Sequence, residues 1–197
     1  VTGVQTCALP ISYNAGLGKP AEAASQPTPQ LNLRRKAMKG DKKIIDILNA
    51  LLAGELTAVD QYLIHGEMYA DMGLNQLAEK SIHESDHERQ HARAIIQRIL
   101  FLEGKPDLSK REGLKIGKTV PDMLKSDLAV EYKVDGELKK AIAACEKAQD
   151  YVTREMLVVQ LDDTEMDHAY FLEKQLKLIE MVGLENYQQS QMGSTPV

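Results

Sequence analysis

Tryptophan is absent from this chain of 197 residues, and phenylalanine occurs only twice. Leucine, alanine, glutamate, lysine and glutamine dominate instead, a composition that favours helix over sheet. Cysteine is nearly absent too: Cys7 lies in an atypical N-terminal segment and Cys145 in a helical pattern. No disulfide framework is implied, and a reducing cytoplasm fits. No apolar run is long enough to span a membrane as a helix. Neither charge sign dominates: 24 Lys and Arg face 29 Asp and Glu, for a net charge of −5. With both signs spread along the chain, there is no nucleic-acid footprint. Proline is missing between Gln30 and Lys105, so two long helices can run uninterrupted there.

Residues 1–37 differ from the rest. They hold Pro10, Pro20, Pro27 and Pro29, and their apolar residues have no period. The opening VTGVQTCALPIS lacks the positive start and compact apolar core of a signal peptide. It resembles the translated read-through of a sequencing adapter. Residues 1–37 are expected to be a disordered or artefactual extension, with the natural chain starting at Met38. Residues 38–192 then form the fold, and 193–197 a flexible tail.

From Asp41 to Met181 the apolar residues recur every three or four positions, as core-facing helices require. The first helix spans about 41–70, with the stripe Ile44, Ile47, Leu48, Leu51, Leu52, Leu56, Val59, Leu63. ADMGLN turns the chain, with Gly73 as the stop signal. The second helix covers about 75–103, ending at Gly104-Lys105-Pro106. The third starts near Pro121, a favoured first-turn residue, and runs to about Lys147. A break at Gln149-Asp150 leads into the fourth, which ends near Met181 before Gly183. Residues 184–192 suit a short fifth helix. Short turns make the first and second helices antiparallel, and likewise the third and fourth. The connection 104–120 is different. About 17 extended residues reach roughly 55–60 Å, more than the ~43 Å of a 29-residue helix. The second and third helices can therefore be parallel. The predicted fold is all-α: a four-helix bundle with one long crossover and a short C-terminal helix.

Each long helix carries acid in its core stripe. Glu55 continues Ile44, Leu48, Leu51, Val59. Glu88 and His91 line up with Ala92, Ile95, Ile99, Leu102. Glu131 falls between Leu124, Leu128 and Leu138, Ile142. Glu165 and His168 extend Val158 and Leu161 toward Leu172, Leu176 and Ile179. A buried carboxylate either neutralises or finds a cation. Counting from the turns tests whether these acids meet. Glu55 lies about 17 residues before the first turn, and Glu88 and His91 about 16 and 18 after it, so all are level at ~1.5 Å per residue. Glu131 lies about 18 before the second break, and Glu165 and His168 about 16 and 19 after it, again level. One Glu from each of two helices and Glu-x-x-His from each of the other two is the general ligand pattern of ferritin-like di-iron proteins. It serves here as a template. Carboxylates suit hard iron ions and bridge them, and each histidine adds a nitrogen. Glu88 and Glu165 are expected to bridge, Glu55 and Glu131 to be terminal, and His91 and His168 to bind one iron each. These six residues also form the expected catalytic set.

A second metal pattern overlaps the first. His83-Glu84-Ser85-Asp86-His87 is H-E-x-x-H, the zinc-protease motif, but it lacks the usual continuation with a third histidine. The pair Glu84 and His87 also sits roughly 6 Å off the level of Glu55. His83, Glu84 and His87 are expected on the other face of the second helix, either as solvated polar groups or as weak secondary iron sites. Asp127, one turn before Glu131, is either an orienting partner for a ligand histidine or a surface acid. Tyr62 is read as a packed core tyrosine, with hydrogen-bond donation as the alternative.

MKGDKKIIDILNALLAGELTAVDQYLIH (38–65), ILFLEGKPDL (99–108), SDLAVE (126–131) and GLENYQQSQ (183–191) resemble the bacterioferritins, and the match covers about 38–192. The resemblance implies a ferritin-like bundle within a hollow 24-subunit cage, which oxidises Fe(II) with oxygen or hydrogen peroxide and stores ferric mineral. It carries two iron ions onto Glu55, Glu88, His91, Glu131, Glu165 and His168. It also implies a cytoplasmic homo-oligomer or mixed cage and a ferredoxin-type reductant, with no nucleic-acid or membrane partner. Two departures stand out. The haem-ligating methionine of the family sits between the residues of Glu-x-x-His on the second helix, and Arg89 occupies that place. Haem b is therefore not expected from this subunit alone, and a methionine-bearing sister subunit would supply it. Second, Glu165 lies one residue further from Tyr151 than in common members, a shift that a bulge or altered turn must absorb. The competing functional class is a rubrerythrin-like di-iron oxidase or peroxidase, whose Cys-x-x-Cys module is missing here.

Overall fold

The computed structural model describes residues 39–193, and the extension 1–37 lies outside them. Helix α1 spans Lys42–Asp71, α2 Asn75–Phe101 and α3 Val120–Lys147. The fourth rod is continuous but has three parts: α4 Tyr151–Asp163, a π-helical turn Thr164–Ala169, and α5 Tyr170–Val182. A short α6, Leu184–Gln191, follows. Among the described residues there is no strand.

Local chemistry sets these boundaries. The Asp41 carboxylate caps α1 by accepting from the Lys43 N–H at 2.7 Å, and Thr119 caps α3 through the Asp122 N–H at 3.3 Å. Asp150 caps α4 through the Thr153 N–H at 3.1 Å. Such caps satisfy N–H groups left unpaired at a helix start. Gly73 has φ +76°, the left-handed conformation that ends α1 cheaply. At the α3–α4 break the same conformation falls on Gln149, with φ +57°.

Two apolar cores fill the bundle. One gathers Leu48, Leu52, Ile95, Ile99, Leu138 and Leu157; the other gathers Tyr69, Leu77, Met123, Leu124, Leu172 and Tyr187. In α1, α2 and α3 the acidic positions lie between the stretches that build these two cores. Two residues of the expected stripes are not core. Leu63 is 43% exposed and Val158 36% exposed. On the fourth rod the buried positions are instead Leu157, Gln160, Thr164, His168 and Leu172.

The crossover between α2 and α3 is fastened to α1 by a ladder of side chains. Asn49 Nδ2 donates to the Lys105 carbonyl at 3.2 Å and its Oδ1 accepts from the Asp107 N–H at 2.8 Å. Thr57 Oγ1 accepts from the Glu112 N–H at 2.8 Å. Gln61 Oε1 accepts from the Lys115 N–H at 3.1 Å. His65 Nε2 accepts from the Gly117 N–H at 3.1 Å. The loop thus follows α1 along most of its length, and α3 packs antiparallel to α1, with Gln61 and His65 on Asp127 and Tyr62 on Glu131. That places α2 and α3 parallel. Gly117 is required at the end of the ladder, because an added Cβ would lie 2.3 Å from the Met123 nitrogen. Gly117→Ala is expected to cost about 1–3 kcal/mol through this overpacking. The measurement is the urea midpoint with helical content retained, and an unchanged midpoint would show that the crossover is not held this closely.

Candidate metal centre

Five of the six residues singled out by the helical count converge. Glu55 comes from α1, Glu88 and His91 from α2, Glu131 from α3, and His168 from the π-helical turn. Their exposures are 1%, 3%, 6%, 1% and 1%, so water cannot compensate their charges. Glu88 lies at the centre. Its Oε1 is 2.9 Å from His168 Nδ1 and its Oε2 is 3.1 Å from His91 Nδ1. Glu55 Oε2 approaches His91 Nδ1 at 3.7 Å, and Glu131 Oε2 approaches His168 Nδ1 at 3.5 Å. Two triads result, Glu55–Glu88–His91 and Glu88–Glu131–His168, each with ligand atoms within 4.8 Å of one another. Tyr62 donates its hydroxyl to Glu131 Oε1 at 2.5 Å, so it orients a carboxylate as well as packing.

The electrostatics describe a site that holds protons in place of cations. Burial pushes the Glu55 carboxyl well above its usual range, and the nearby Glu88 adds to the rise. Burial raises Glu131 as well, with neighbouring Glu88 acting in the same sense and the His168 hydrogen bond opposing it. Burial also opposes the charge on Glu88, but the bonds from His168 and His91 outweigh it and hold the group far below the ordinary carboxylate value. For His91, burial disfavours the proton, yet Glu55 and Glu88 override this and raise the ring to about 10. His168 is raised further: burial is overcome by Glu131, Glu84 and Glu88. Glu55 Oε2 has no aligned hydrogen-bond partner. An orphaned buried carboxyl oxygen beside a second buried carboxylate, Glu88, is the environment that a divalent cation would relieve.

The ferritin-like domain family matches residues 45–182. The chain is 54% identical over 155 residues to a bacterial ferritin of Synechocystis sp., covering 79% of this chain and 99% of that protein. It is 52% identical to a bacterial ferritin of Pseudomonas aeruginosa over 155 residues, covering 79% of this chain and all of that protein. A bacterioferritin of Mycobacterium avium is 40% identical over 150 residues, covering 76% of this chain and 94% of that protein. This chain belongs to the ferritin-like family, as a bacterioferritin-type member.

One residue carried over from the bacterioferritin pattern does not reach the cluster. Glu165 is exposed and pairs with Lys139 at 2.7 Å. The cause is a change of helical period. A π-helical turn absorbs one residue more than an α-helical turn, and here the turn spans Thr164–Ala169. The two members of Glu-x-x-His then no longer share a face. His168 stays inside, and the buried position one turn before it belongs to Thr164, whose hydroxyl bonds to the Gln160 carbonyl at 2.9 Å.

Two further sequence expectations change, for Glu84 and for Asp127. Glu84, read as part of an outer face, is 2% exposed. It accepts a close contact from Lys80 and lies 2.8 Å from His168 Nε2. Its position four residues before Glu88 was the available signal. The H-E-x-x-H motif is not assembled as a site, since His83 points to solvent while Glu84 is buried against the fourth rod. Asp127 is buried but orients His65, at 2.8 Å, rather than a residue of the cluster. His87 and Asp163 were not placed near the cluster by the helical count either. His87 Nδ1 is 3.0 Å from His168 Nε2, and Asp163 Oδ2 is 3.2 Å from His91 Nε2. Arg89 lies on the surface in a pair with Asp86 at 2.8 Å.

The shifts give a pH dependence with a definite sign. An unfolded imidazole loses its proton near pH ~6.5, whereas folded His91 keeps one up to about 10. Between these values the folded state binds more protons, so stability falls as pH rises. The raised Glu55 acts in the same direction. Metal-free protein should therefore show urea midpoints that decline from about pH 7 to about pH 9. Metal-loaded protein, with its ring protons displaced, should show a flatter profile.

Proposed function

We propose that this chain stores and detoxifies iron, oxidising Fe(II) to Fe(III) at a two-iron centre within the subunit and passing the product to a ferric mineral. The observation that carries this reading is the split of Glu88, one carboxylate oxygen facing each of two ligand triads. The donor set fits iron: hard carboxylate oxygens, one imidazole nitrogen per metal position, and a buried oxygen without a partner. Glu88 would serve both positions, with Glu55 and His91 holding one ion and Glu131 and His168 the other. Two Fe(II) ions held there supply one electron each, matching the two-electron reduction of dioxygen to hydrogen peroxide or of hydrogen peroxide to water. The protein's share is positional. Tyr62 fixes the orientation of Glu131, Glu84 faces the outer nitrogen of His168, and the two apolar cores keep the layer rigid. Imidazolium protons leave His91 and His168 as metal enters, so uptake releases acid.

The wider setting is part of the same proposal and rests on the resemblance in sequence. The chain assembles into a 24-subunit cage in the cytoplasm, alone or mixed with a methionine-bearing subunit, and a ferredoxin-type donor returns electrons when iron is released. Among the described residues no helix is long and apolar enough to cross a membrane. The rubrerythrin-like alternative is not favoured, because the relatives above are named bacterial ferritins and bacterioferritins.

Two measurements test the proposal. In metal-free protein mixed with Fe(II) in air, Glu88→Ala or His91→Ala should slow the initial rise of ferric absorbance by at least ~10-fold. A wild-type rate in either variant would refute the centre. Protein made alone in haem-replete cells should lack a Soret band, because exposed Arg89 offers no axial sulfur. One haem per two subunits would overturn that part.

A further inference from the structure

Resting on the two-iron reading above, we propose that Asp163, not Glu165, is the carboxylate that the fourth rod contributes to this centre. It acts as a positioning residue through the outer nitrogen of His91, and Glu165 belongs to the surface.

The geometry around His91 carries the argument. The ring turns Nδ1 toward Glu88 at 3.1 Å and Nε2 toward Asp163 Oδ2 at 3.2 Å. A metal-binding imidazole whose far N–H is held by a carboxylate keeps its near lone pair on the metal, in the right tautomer and orientation. His168 has a looser version of this: Nδ1 lies 2.9 Å from Glu88, while Nε2 lies 2.8 Å from Glu84 Oε2 without an aligned hydrogen bond and 3.0 Å from His87 Nδ1. Each ring thus has a carboxylate near its outer nitrogen, one from α2 and one from the end of α4. The end of α4 is fixed against α2 by a second bond, in which Gln160 Nε2 donates to the His91 carbonyl at 3.1 Å. Asp163 therefore reaches the ring from a backbone already tied to the same residue.

Glu165 is excluded by the same stretch of chain. Its carboxylate is engaged by Lys139 at 2.7 Å, and Lys139 is also held by Asp135 at 2.7 Å. The buried position facing the centre one turn before His168 is filled by Thr164, 2% exposed. Turning Glu165 inward would require Thr164 to rotate out and break its bond to Gln160. A chain with five inward ligands and two outer carboxylates is what this π-helical turn produces.

Co(II) titration of the metal-free protein, followed by its visible d–d absorption, tests the assignment independently of iron oxidation. Wild type should bind two Co(II) per chain, and Glu88→Ala should disrupt both. Failure of either control refutes the two-iron reading itself and this inference with it. Given those controls, Asp163→Ala should weaken one of the two Co(II) by about 10–100-fold. Asp163→Asn should recover part of the loss, because an amide oxygen still accepts from the ring N–H. Glu165→Ala should leave both affinities and the spectrum unchanged. Loss of a Co(II) in Glu165→Ala, or unchanged binding in Asp163→Ala, would overturn the proposal. Circular dichroism and thermal midpoints equal to wild type would show that the variants are folded. Asp163 is partly exposed and Glu165 exposed, so neither change opens the core.

Discussion

Three carboxylates buried in one layer of a helical bundle must be matched by positive charge, or the layer cannot exist. The described chain solves this with two imidazoles, each held above its ordinary proton affinity by the glutamates around it. Lysine and arginine are kept out of that layer, and Lys80, which neutralises Glu84, stays at its edge. The same five residues that share these protons are the ones that would share a metal ion's charge. Replacing protons by divalent ions brings more positive charge to the same oxygens. Binding and stability are coupled through the same five residues.

The layer is also where the bundle's two apolar cores meet. Neither core alone fixes the relative height of the helices, because apolar side chains tolerate small slides. The polar layer does. Glu88 must reach two rings on different helices, and Tyr62 must reach Glu131. One turn above it, His65 is held between Asp127 and the Gly117 amide. Register is thus set by directional contacts stacked in adjacent turns, and apolar burial supplies cohesion on either side.

Helix existence, the bundle topology and five of the cluster residues were legible in the sequence because each rests on counting. Residues at equal distance from a turn are level, and a stripe of period 3.6 names the inward face. Counting fails where the period changes. The fourth rod is α-helical up to Asp163 and π-helical through Ala169, so of a stripe drawn through Val158, Leu161 and Glu165 only Leu161 stays against the core, while Leu157, Gln160 and Thr164 enter it. The anomaly was visible as one residue too many before His168, but spacing alone does not say which side chain gives way. Glu84 was missed for another reason. On its own helix it sits one turn before Glu88 on the buried stripe, but the height count from the turn set it off the level of Glu55, and that count cannot see His168 reaching it from the fourth rod. His65 carried a further signal: with Gln61 and Thr57 it forms a polar row at intervals of four along α1.

That row fastens the crossover through main-chain atoms. Asn49, Thr57, Gln61 and His65 grip the carbonyl of Lys105 and the amides of Asp107, Glu112, Lys115 and Gly117, while the loop's own side chains add the exposed pairs Arg111–Asp60 and Glu112–Lys133. A strap gripped this way has its path written into the helix beneath it. Apart from Arg111, which pairs with Asp60 of α1 at 3.0 Å, its outer chemistry, here Lys110, Leu114 and Ile116, is therefore free to drift or to be tailored to whatever lies alongside, with little consequence for the architecture underneath.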